Sequence, residues 1–290
     1  MLGKTDKILN LLIEYFIKLN FNRKKKKFKE IHKNNFVYFF NDQITKEIDI
    51  HGIYEKDEIN FLSSIIKRNS IIIDIGANIG NHSIAFSKIA NKVYSFEAHP
   101  QTFKILKINC CDYRKIKIYD IGISNKKGFL FFKKAKTYNV GGKKLTKTGT
   151  IKSKINKLDN LIKLKKKIEL IKIDIEGHEY KALLGMKKLL ENNNSKIYIE
   201  FYSDSAQERR NIVNYLLKLG YRNSYYLLKE KVFFKKKYLN LFVKIFSVLL
   251  FNTSTNKTEL VEIDPKLLIK NDIKSNILFS KKKISIKKNL

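Results

Sequence analysis

Two acidic residues end apolar runs of the sequence at a separation that suits a nucleoside ligand. Asp74 follows "III" and leads into a turn with Gly76, Asn78 and Gly80, and Glu97 ends the next apolar run about twenty residues later. An acid at that distance can accept hydrogen bonds from both hydroxyls of a ribose. Because the glycine spacing is Gly-x-x-x-Gly and no Gly-Lys-Ser/Thr follows, the pattern argues against a dinucleotide fingerprint and excludes a P-loop. It predicts a nucleoside without a pyrophosphate.

The turn itself allows two interpretations of its residues. Gly76 permits a tight turn and the close approach of a ligand to the backbone. The helix predicted to begin near Asn81 offers a positive N-terminus. Asp74 could accept a hydrogen bond from an ammonium or amide group, or it could only stabilise the loop.

A second polar group ends the later run "IKIDIEGHEY". Charged side chains in a strand that is buried on both faces are costly unless they are paired or turned into a cleft. Lys172, Asp174 and Glu176 are therefore predicted to lie at such a cleft, with the two acids on one side and able to orient a hydroxyl group. His178 could act as a general base or be a loop residue. Glu200, at the end of "IYIEF", lies beside the same cleft or pairs with a neighbouring lysine.

The elements that must position these residues alternate between strand and helix from residue 71 onward. Strands separated by helical spans of about ten residues indicate crossover units, and hence a parallel sheet with helices on both faces. Ligands of such sheets bind at the carboxyl ends of the strands, where the polar residues stand. Residues 125–157 interrupt the alternation and are predicted to form an inserted strand or hairpin and a mobile loop. The run "EYKALLGMKKLLENN" is predicted to form one helix.

The two ends of the chain are predicted to lie outside this domain. Residues 1–46 would form an amphipathic helix and a short ribbon, residues 47–230 the ligand-binding domain, and residues 231–290 a lysine-rich extension. The ribbon is predicted from "FVYFF" and "EIDIHGIY". The N-terminal helix could pack on the domain or lie on anionic lipid with the polybasic "RKKKKFK" that follows it. The run "YLNLFVKIFSVLLF" could be a docked helix or a second membrane-surface element.

The charge and the cysteines restrict the class of protein further. The formal net charge is +33, but only six of the 60 basic residues are Arg, the residue that suits planar recognition of phosphate or guanine. Much of the charge can therefore be composition spread over solvated faces, although some cluster could bind an anion. Adjacent Cys110 and Cys111 exclude a disulfide framework and paired zinc spacing, and no metal site is predicted. With no apolar run long enough to span a bilayer, a cytoplasmic location is expected, peripheral at most to a membrane's inner face.

In the order and spacing of these motifs the sequence resembles the FkbM-type family of S-adenosylmethionine-dependent methyltransferases. The resemblance covers about residues 47–222 and rests on "GIYEKDEINFL", "IIIDIGANIGNHSIAFS", "VYSFEAHPQTFKILKINC", "IGISNKKG", "LDNLI" and "IKIDIEGHEYKALLGMKKLL". It implies a Rossmann-like methyltransferase fold with a mostly parallel seven-stranded sheet. It also implies methyl transfer from S-adenosylmethionine, typically to a hydroxyl of a sugar, glycan or related metabolite.

The resemblance also implies roles for the residues already singled out. Residues on the methionine and ribose side of the cofactor would be Asp74, Gly76, Asn78, Gly80 and Glu97. The segment ending at Ser124 would lie by the adenine. Asp174 and Glu176 would face the reacting methyl group, and Asp174 or His178 would be the base.

Two other functions are consistent with the sequence. An RNA methyltransferase uses the same sheet and would explain the charge, although no appended RNA-binding module is recognisable. A non-catalytic protein on a methyltransferase fold, held at a membrane surface by its basic ends, is the other; the complete set of Asp74, Gly76, Gly80 and Glu97 argues against it. A small-molecule or glycan acceptor is the expected partner.

Overall fold

The computed structural model describes residues 36–38, 44, 48, 53–133, 144–163, 167–202, 205–230, 257–270, 273 and 275–284. Its central element is a mixed sheet. The strands of this sheet are β1 (Ile71–Ile75), β2 (Lys92–Glu97), β3 (Ile116–Asp120), β8 (Ile168–Ile173), β9 (Lys196–Glu200), β10 (Asn223–Glu230), β11 (Lys257–Ile263) and β12 (Asn276–Ser280). A smaller sheet contains β4 (Gly122–Ile123), β5 (Gly128–Phe132), β6 (Leu145–Thr146) and β7 (Ile151–Asn156). The helices are α1 (Lys56–Ile65), α2 (Asn81–Ser87), α3 (Pro100–Cys110), α4 (Leu158–Leu161), α5 (Glu179–Leu184), α6 (Lys187–Asn192), α7 (Ala206–Lys218) and α8 (Pro265–Lys270).

The strand order of the central sheet confirms the α/β class and corrects the strand count. The order is β11-β10-β12-β9-β8-β1-β2-β3, so the described sheet has eight strands where seven were predicted. The pairs among β3, β2, β1, β8 and β9 are parallel, whereas β12 is antiparallel to both β9 and β10, and β11 is antiparallel to β10. The strands after residue 256 were missed because they are short apolar runs within a lysine-rich segment. The C-terminal extension thus contributes β11 and β12 to the sheet.

The apolar runs of β1 and β8 are buried on both faces of the sheet, as the continuous hydrophobic pattern predicted. On one face Ile73 and Ile171 pack beneath helices α4 to α8. On the other face Ile72 and Leu170 pack beneath Phe61 of α1 and Phe86 of α2. Full burial of one such side chain contributes roughly 1.5–3 kcal/mol. This two-sided core holds the carboxyl ends of the strands at one rigid edge.

The helix predicted over residues 179–193 is broken into α5 and α6 at Gly185. A Cβ atom at this position would lie 2.0 Å from the carbonyl oxygen of Ser124, so the chain must have glycine there. The N-terminus of α6 is stabilised by Asp159, whose carboxylate accepts hydrogen bonds from the backbone N–H of Lys188 (3.0 Å) and Leu189 (3.0 Å). A contact 30 residues away in sequence therefore restarts the helix, and periodicity alone could not predict this break.

The insertion between β3 and α4 contains the predicted hairpin. β5 pairs antiparallel with β7 and with β6, and β4 adds parallel to β7. Residues 134–143, which fall in the predicted mobile loop, lie outside the described residues.

Both ends of the chain lie largely outside the described residues, including the predicted N-terminal helix and the run at 238–251. Within the predicted ribbon, residues 36–38 have no regular structure and Ile44 and Ile48 are helical, so the described part does not form the ribbon. These two isoleucines stand four residues apart, which is a helical spacing. Among the described residues, no helix has the length and apolar character that a membrane crossing requires.

Candidate active site

The turn after β1 is held in shape by contacts with the protein itself. Gly76 has φ +80°, and a Cβ atom there would lie 1.8 Å from the carbonyl oxygen of Asp174, at the end of β8. Gly80 has φ +100°, and its Cβ would meet the side chain of Leu106 at 3.0 Å and Cys110 Sγ at 3.1 Å on α3. The sequence predicted that Gly76 permits a tight turn and the close approach of a ligand. The structure shows that glycine is needed because the turn packs directly against β8.

Glu97, at the end of β2, is fixed at the wall of a cleft beside this turn. Its Oε2 accepts a hydrogen bond from the Asn78 N–H (2.9 Å) and its Oε1 accepts one from the His99 N–H (2.7 Å). Burial raises the pKa of Glu97 to about 7, against the lowering effect of these two N–H groups. Since a carboxylate has about four acceptor positions, each oxygen keeps capacity for another donor. Glu97 is therefore oriented by two N–H groups and has room for two further donors.

The walls of the cleft combine apolar and polar side chains and come from five parts of the chain: the ends of β1, β2 and β8, the segment after β3, and the small sheet. The cleft has a volume of about 630 Å³, which includes the open space at its mouth. The segment after β3 contributes Ile121 and Ile123, and the small sheet contributes Phe132 and Leu145. His99, which caps α3 through its contact with Thr102, packs edge-on against Phe132 with 5.0 Å between ring centroids. Phe132 and Leu145 were not predicted from the sequence, where the only signal was that the insertion could be functional.

Asp74 lies beneath the cleft, next to a buried lysine. It is fully buried and stands opposite Lys172 in the register of β1 and β8. The Ser83 hydroxyl donates to Asp74 Oδ2 (2.6 Å), while Oδ1 lies 4.0 Å from Lys172 Nζ and has no hydrogen-bond partner among the described residues. Burial raises the pKa of Asp74, and Lys172 opposes that shift. Asp74 thus has an unused buried acceptor atom.

Lys172 links this buried acid to the edge of the cleft. Its Nζ donates to Asp174 Oδ2 at 3.0 Å, and the residue is 3% exposed. Burial lowers the pKa of Lys172, but the carboxylates of Asp174, Asp74 and Glu55 more than offset this effect and raise it. The ammonium group therefore stays charged and compensates several acids at once.

Three carboxylates meet at the mouth of the cleft. Asp174 and Glu176 follow β8 and line the cleft, and Glu200 ends β9; one ligand oxygen from each lies within 4.8 Å of the others. Burial and the charges of Asp174 and Glu176 raise the pKa of Glu200 to about 9. Burial and Asp174 also raise the pKa of Glu176, against Lys144. At neutral pH this group therefore holds at least one proton, so it can both donate to and accept from a hydroxyl group. Oxygen ligands of this type also suit a divalent cation, but their spacing alone assigns no ion.

Ser124 and His178 contact each other behind the cleft. Ser124 Oγ lies 2.9 Å from His178 Nε2, and the two residues are 1% and 3% exposed. Burial, with a smaller contribution from Lys181, lowers the pKa of His178 to about 4. Neither residue is part of the cleft wall. This geometry favours the loop interpretation of His178, which here fastens the end of β4 to the segment before α5.

The segment before α1 also packs on the turn, a contact that sequence analysis missed. The Asn81 side chain accepts from the Tyr54 N–H (3.3 Å) and donates to the Tyr54 carbonyl (2.9 Å). Next to it, Glu55 Oε2 lies 3.3 Å from His82 Nε2 without the geometry of a hydrogen bond. Burial and Glu58 raise the pKa of Glu55 to about 8. The only signal for this contact was the presence of "GIYE" among the family motifs.

The mixed sheet, with an acid-bearing glycine turn after β1 and a carboxylate ending β2, has the arrangement of α/β proteins that bind a ligand at the carboxyl ends of their strands. The chain matches the methyltransferase FkbM domain over residues 74–223, which is more than half of its length. It belongs to this family.

Similar proteins include one curated relative and several solved structures. The chain is 30% identical over 157 residues to the hexuronic acid methyltransferase AglP of Haloferax volcanii, covering 53% of this chain and 64% of AglP. The methyltransferase FkbM of Methylobacillus flagellatus is 15% identical with a TM-score of 0.40, over 68% of this chain and 53% of that one. A SAM-dependent O-methyltransferase of Thermotoga maritima is 12% identical with a TM-score of 0.42, over 81% and 68% of the two chains. The alignment spans less than two thirds of the curated relative, and the structural likenesses are weak.

Proposed function

We propose that this protein is a methyltransferase that uses S-adenosylmethionine as methyl donor and methylates a hydroxyl group of a sugar, glycan or related metabolite. The observation that carries the proposal is the Glu97 carboxylate, oriented by the N–H groups of Asn78 and His99 at the wall of a cleft that also has apolar surface.

The described residues fit the nucleoside part of this donor. Glu97 has spare acceptor capacity for two ribose hydroxyls, and Ile121, Ile123 and Phe132 offer apolar surface for a base. The unpartnered Asp74 Oδ1 is a buried acceptor below the same turn. When bound, S-adenosylmethionine would supply an electrophilic methyl group.

The carboxylates at the mouth of the cleft would position the acceptor. Asp174 is ion-paired with Lys172 at 3.0 Å and therefore remains a hydrogen-bond acceptor for a hydroxyl group. Glu176, whose pKa is raised by burial and by Asp174, would take up the proton that the hydroxyl releases, and Glu200, with a pKa of about 9, would donate a hydrogen bond beside it. A positioned base contributes roughly 10²- to 10⁴-fold, and alignment of the reacting groups contributes more. His178 is not assigned to this role because it is bonded to Ser124 behind the wall.

Two observations support a sugar as acceptor class. One is the similarity to a hexuronic acid methyltransferase. The other is the presence of several carboxylate oxygens within 4.8 Å of one another, since carboxylates accept hydrogen bonds from neighbouring hydroxyls of a sugar ring.

Cofactor binding is tested by calorimetry on Glu97→Ala and Glu97→Gln. Loss of two charge-assisted hydrogen bonds, at about 1.5–3 kcal/mol each, should weaken S-adenosylmethionine binding by at least about 100-fold in Glu97→Ala. Glu97→Gln keeps one acceptor oxygen and should lie between this variant and the wild type. Exposed Glu191→Ala serves as a control and should bind like the wild type. Unchanged binding in Glu97→Ala would rule out the proposed ribose contact.

The acceptor is tested by transfer of a labelled methyl group from S-adenosylmethionine into a fractionated cell extract. Label that enters a glycan or sugar fraction and resists mild base indicates an ether on a hydroxyl group. Label in a base-labile ester or in RNA would contradict the proposed acceptor group, but it would still support methyl transfer from S-adenosylmethionine.

A further inference from the structure

A second concave site lies at the amino ends of the central strands, opposite the cofactor cleft. Its lining comes from four separate places: the end of α1 with the residues after it, the start of β8, the start of β9, and the end of β12 with the segment after it. The antiparallel direction of β12 brings its end to this edge. The groove has a volume of about 920 Å³, which includes the open space at its mouth. Half of its lining residues are lysines: Lys67, Lys167, Lys196, Lys281, Lys282 and Lys283.

Three of these lysines are tied to partners. Lys196 Nζ lies 2.5 Å from Glu169, a buried acid on the groove wall. Lys281 Nζ donates to the carbonyl oxygens of Leu190 (2.6 Å) and Asn193 (2.9 Å) at the end of α6. Lys283 pairs with Glu262 at 2.9 Å in an exposed position. These contacts hold the segments that line the groove in position.

The other three lysines carry charge that the described residues do not compensate. Lys67, Lys167 and Lys282 are exposed, and no described carboxylate forms an ion pair with them. The amide of Asn194 also lines the groove. Because like charges held together repel one another, a multivalent anion would relieve the repulsion.

We propose that this groove binds a phosphate-bearing anion, through Lys67, Lys167 and Lys282. Lysine ammonium groups bind phosphate oxygens as point charges, and three of them on one concave wall match the charge of a diphosphate or triphosphate group. The concave shape suits a phosphorylated small molecule or a single headgroup. The site is separate from the proposed methyl-transfer cleft and does not depend on it.

The experiment must separate this site from the general basic charge of the chain. Calorimetry with tripolyphosphate on the full chain should give saturable binding. The variant Lys67→Ala/Lys167→Ala/Lys282→Ala should weaken it at least tenfold. The matched variant Lys104→Ala/Lys107→Ala/Lys127→Ala removes the same charge from exposed positions on α3 and before β5, and should change the affinity less than twofold. Equal losses in the two variants, or no saturable binding to the wild type, would overturn the proposal.

A second measurement distinguishes the two sources of the phosphate. Vesicles of phosphatidylcholine with phosphatidic acid are compared with vesicles of phosphatidylcholine alone. Binding that needs phosphatidic acid and is displaced by tripolyphosphate supports the site with a lipid headgroup as ligand. Tripolyphosphate binding without vesicle binding supports it with a free ligand. Both triple variants could instead weaken association with vesicles or RNA equally, without saturable binding of tripolyphosphate. That result would show binding by diffuse surface charge and would overturn the proposed site. Binding of S-adenosylmethionine by the groove variant should equal that of the wild type.

Discussion

At the carboxyl ends of the central strands the protein concentrates acids around one buried lysine, whereas at the amino ends of the same strands it gathers lysines around one buried acid. At the first edge Asp74 is fully buried and Lys172 is 3% exposed, and each is held by named partners. At the second edge Lys67, Lys167 and Lys282 are exposed.

This difference shows that a buried charge is stronger evidence of a functional site than an exposed charge. A buried charge costs several kcal/mol unless it is paired, so Lys172 and the acids around it have to be explained by a site. An exposed lysine costs almost nothing, and the composition supplies many of them. At the lysine edge only the convergence of distant segments on one groove is informative.

The largest expected effect compares one lysine from each edge. Lys172→Met leaves Asp74 and Asp174 without their buried counter-charge and should lower the free energy of unfolding by about 3–5 kcal/mol. Lys167→Met, at the exposed edge, should stay within about 0.5 kcal/mol of the wild type. Urea unfolding at neutral pH measures both values. Equal losses of stability would contradict the expected difference between the two edges.

The next effect compares one acid from each edge in the methyl-transfer assay. Asp174→Asn removes the negative charge and one of the two acceptor oxygens of this side chain, and should slow transfer by about 10²- to 10³-fold, with cofactor affinity changed only a few-fold. Glu169→Gln, in the groove, should leave the rate unchanged within about twofold, since its contact is with Lys196. A slow Glu169→Gln enzyme would show that the two edges are coupled.

A smaller effect separates steric contact from backbone strain within the acidic edge. Gly76→Ala places a Cβ against the Asp174 carbonyl in addition to the left-handed strain, and should cost about 3 kcal/mol or more. Gly177 has φ +92°, and a Cβ atom there would have nothing within 4 Å, so Gly177→Ala should cost only about 1–2 kcal/mol. Thermal unfolding of the two variants tests whether contact with β8 is the reason that position 76 requires glycine.

The last expected effect is the pH dependence of stability at the acidic edge. The pKa of Glu200 is about 9 in the folded protein and 4.5 ordinarily, so between these values the folded state keeps a proton that the unfolded state has lost. Its contribution is complete below about pH 4.5 and is lost as the pH rises toward 9. Glu200→Gln should therefore flatten the decline of the unfolding midpoint between pH 5 and 9.

His178 provides a matched contrast of opposite sign. Its pKa is about 4 in the folded protein and 6.5 ordinarily, so its contribution is lost as the pH falls from 6.5 to 4. His178→Gln should flatten only this acid limb, and a changed slope above pH 7 would contradict the assignment.

Much of the acidic edge could be predicted from the sequence, because apolar runs define parallel strands and the carboxyl ends of parallel strands meet. Gly76, Asn78, Glu97, Asp174 and Glu176 were expected to lie together, and the structure brings all five to one cleft. Each follows or ends a strand in a short local pattern, so neighbouring residues were sufficient to place it.

Residues whose position depends on distant contacts could not be assigned in this way. Ser124 and His178 also follow strands, but their mutual contact draws them behind the wall of the cleft. Phe132 reaches the cleft only because the small sheet folds over it.

The sequence by itself determined the α/β class, the family motifs and the acids at the strand ends, because these depend on periodicity and on spacing of a few residues. Only the tertiary structure decided the eight-strand order, the break at Gly185 and the pairing of Asp74 with Lys172. It also decided the lysine groove, since Lys67, Lys167 and Lys282 become neighbours only when β12 inserts antiparallel beside β9. Such contacts join segments that lie about 30 to more than 100 residues apart in the sequence, and no local pattern along the chain encodes their distance in space.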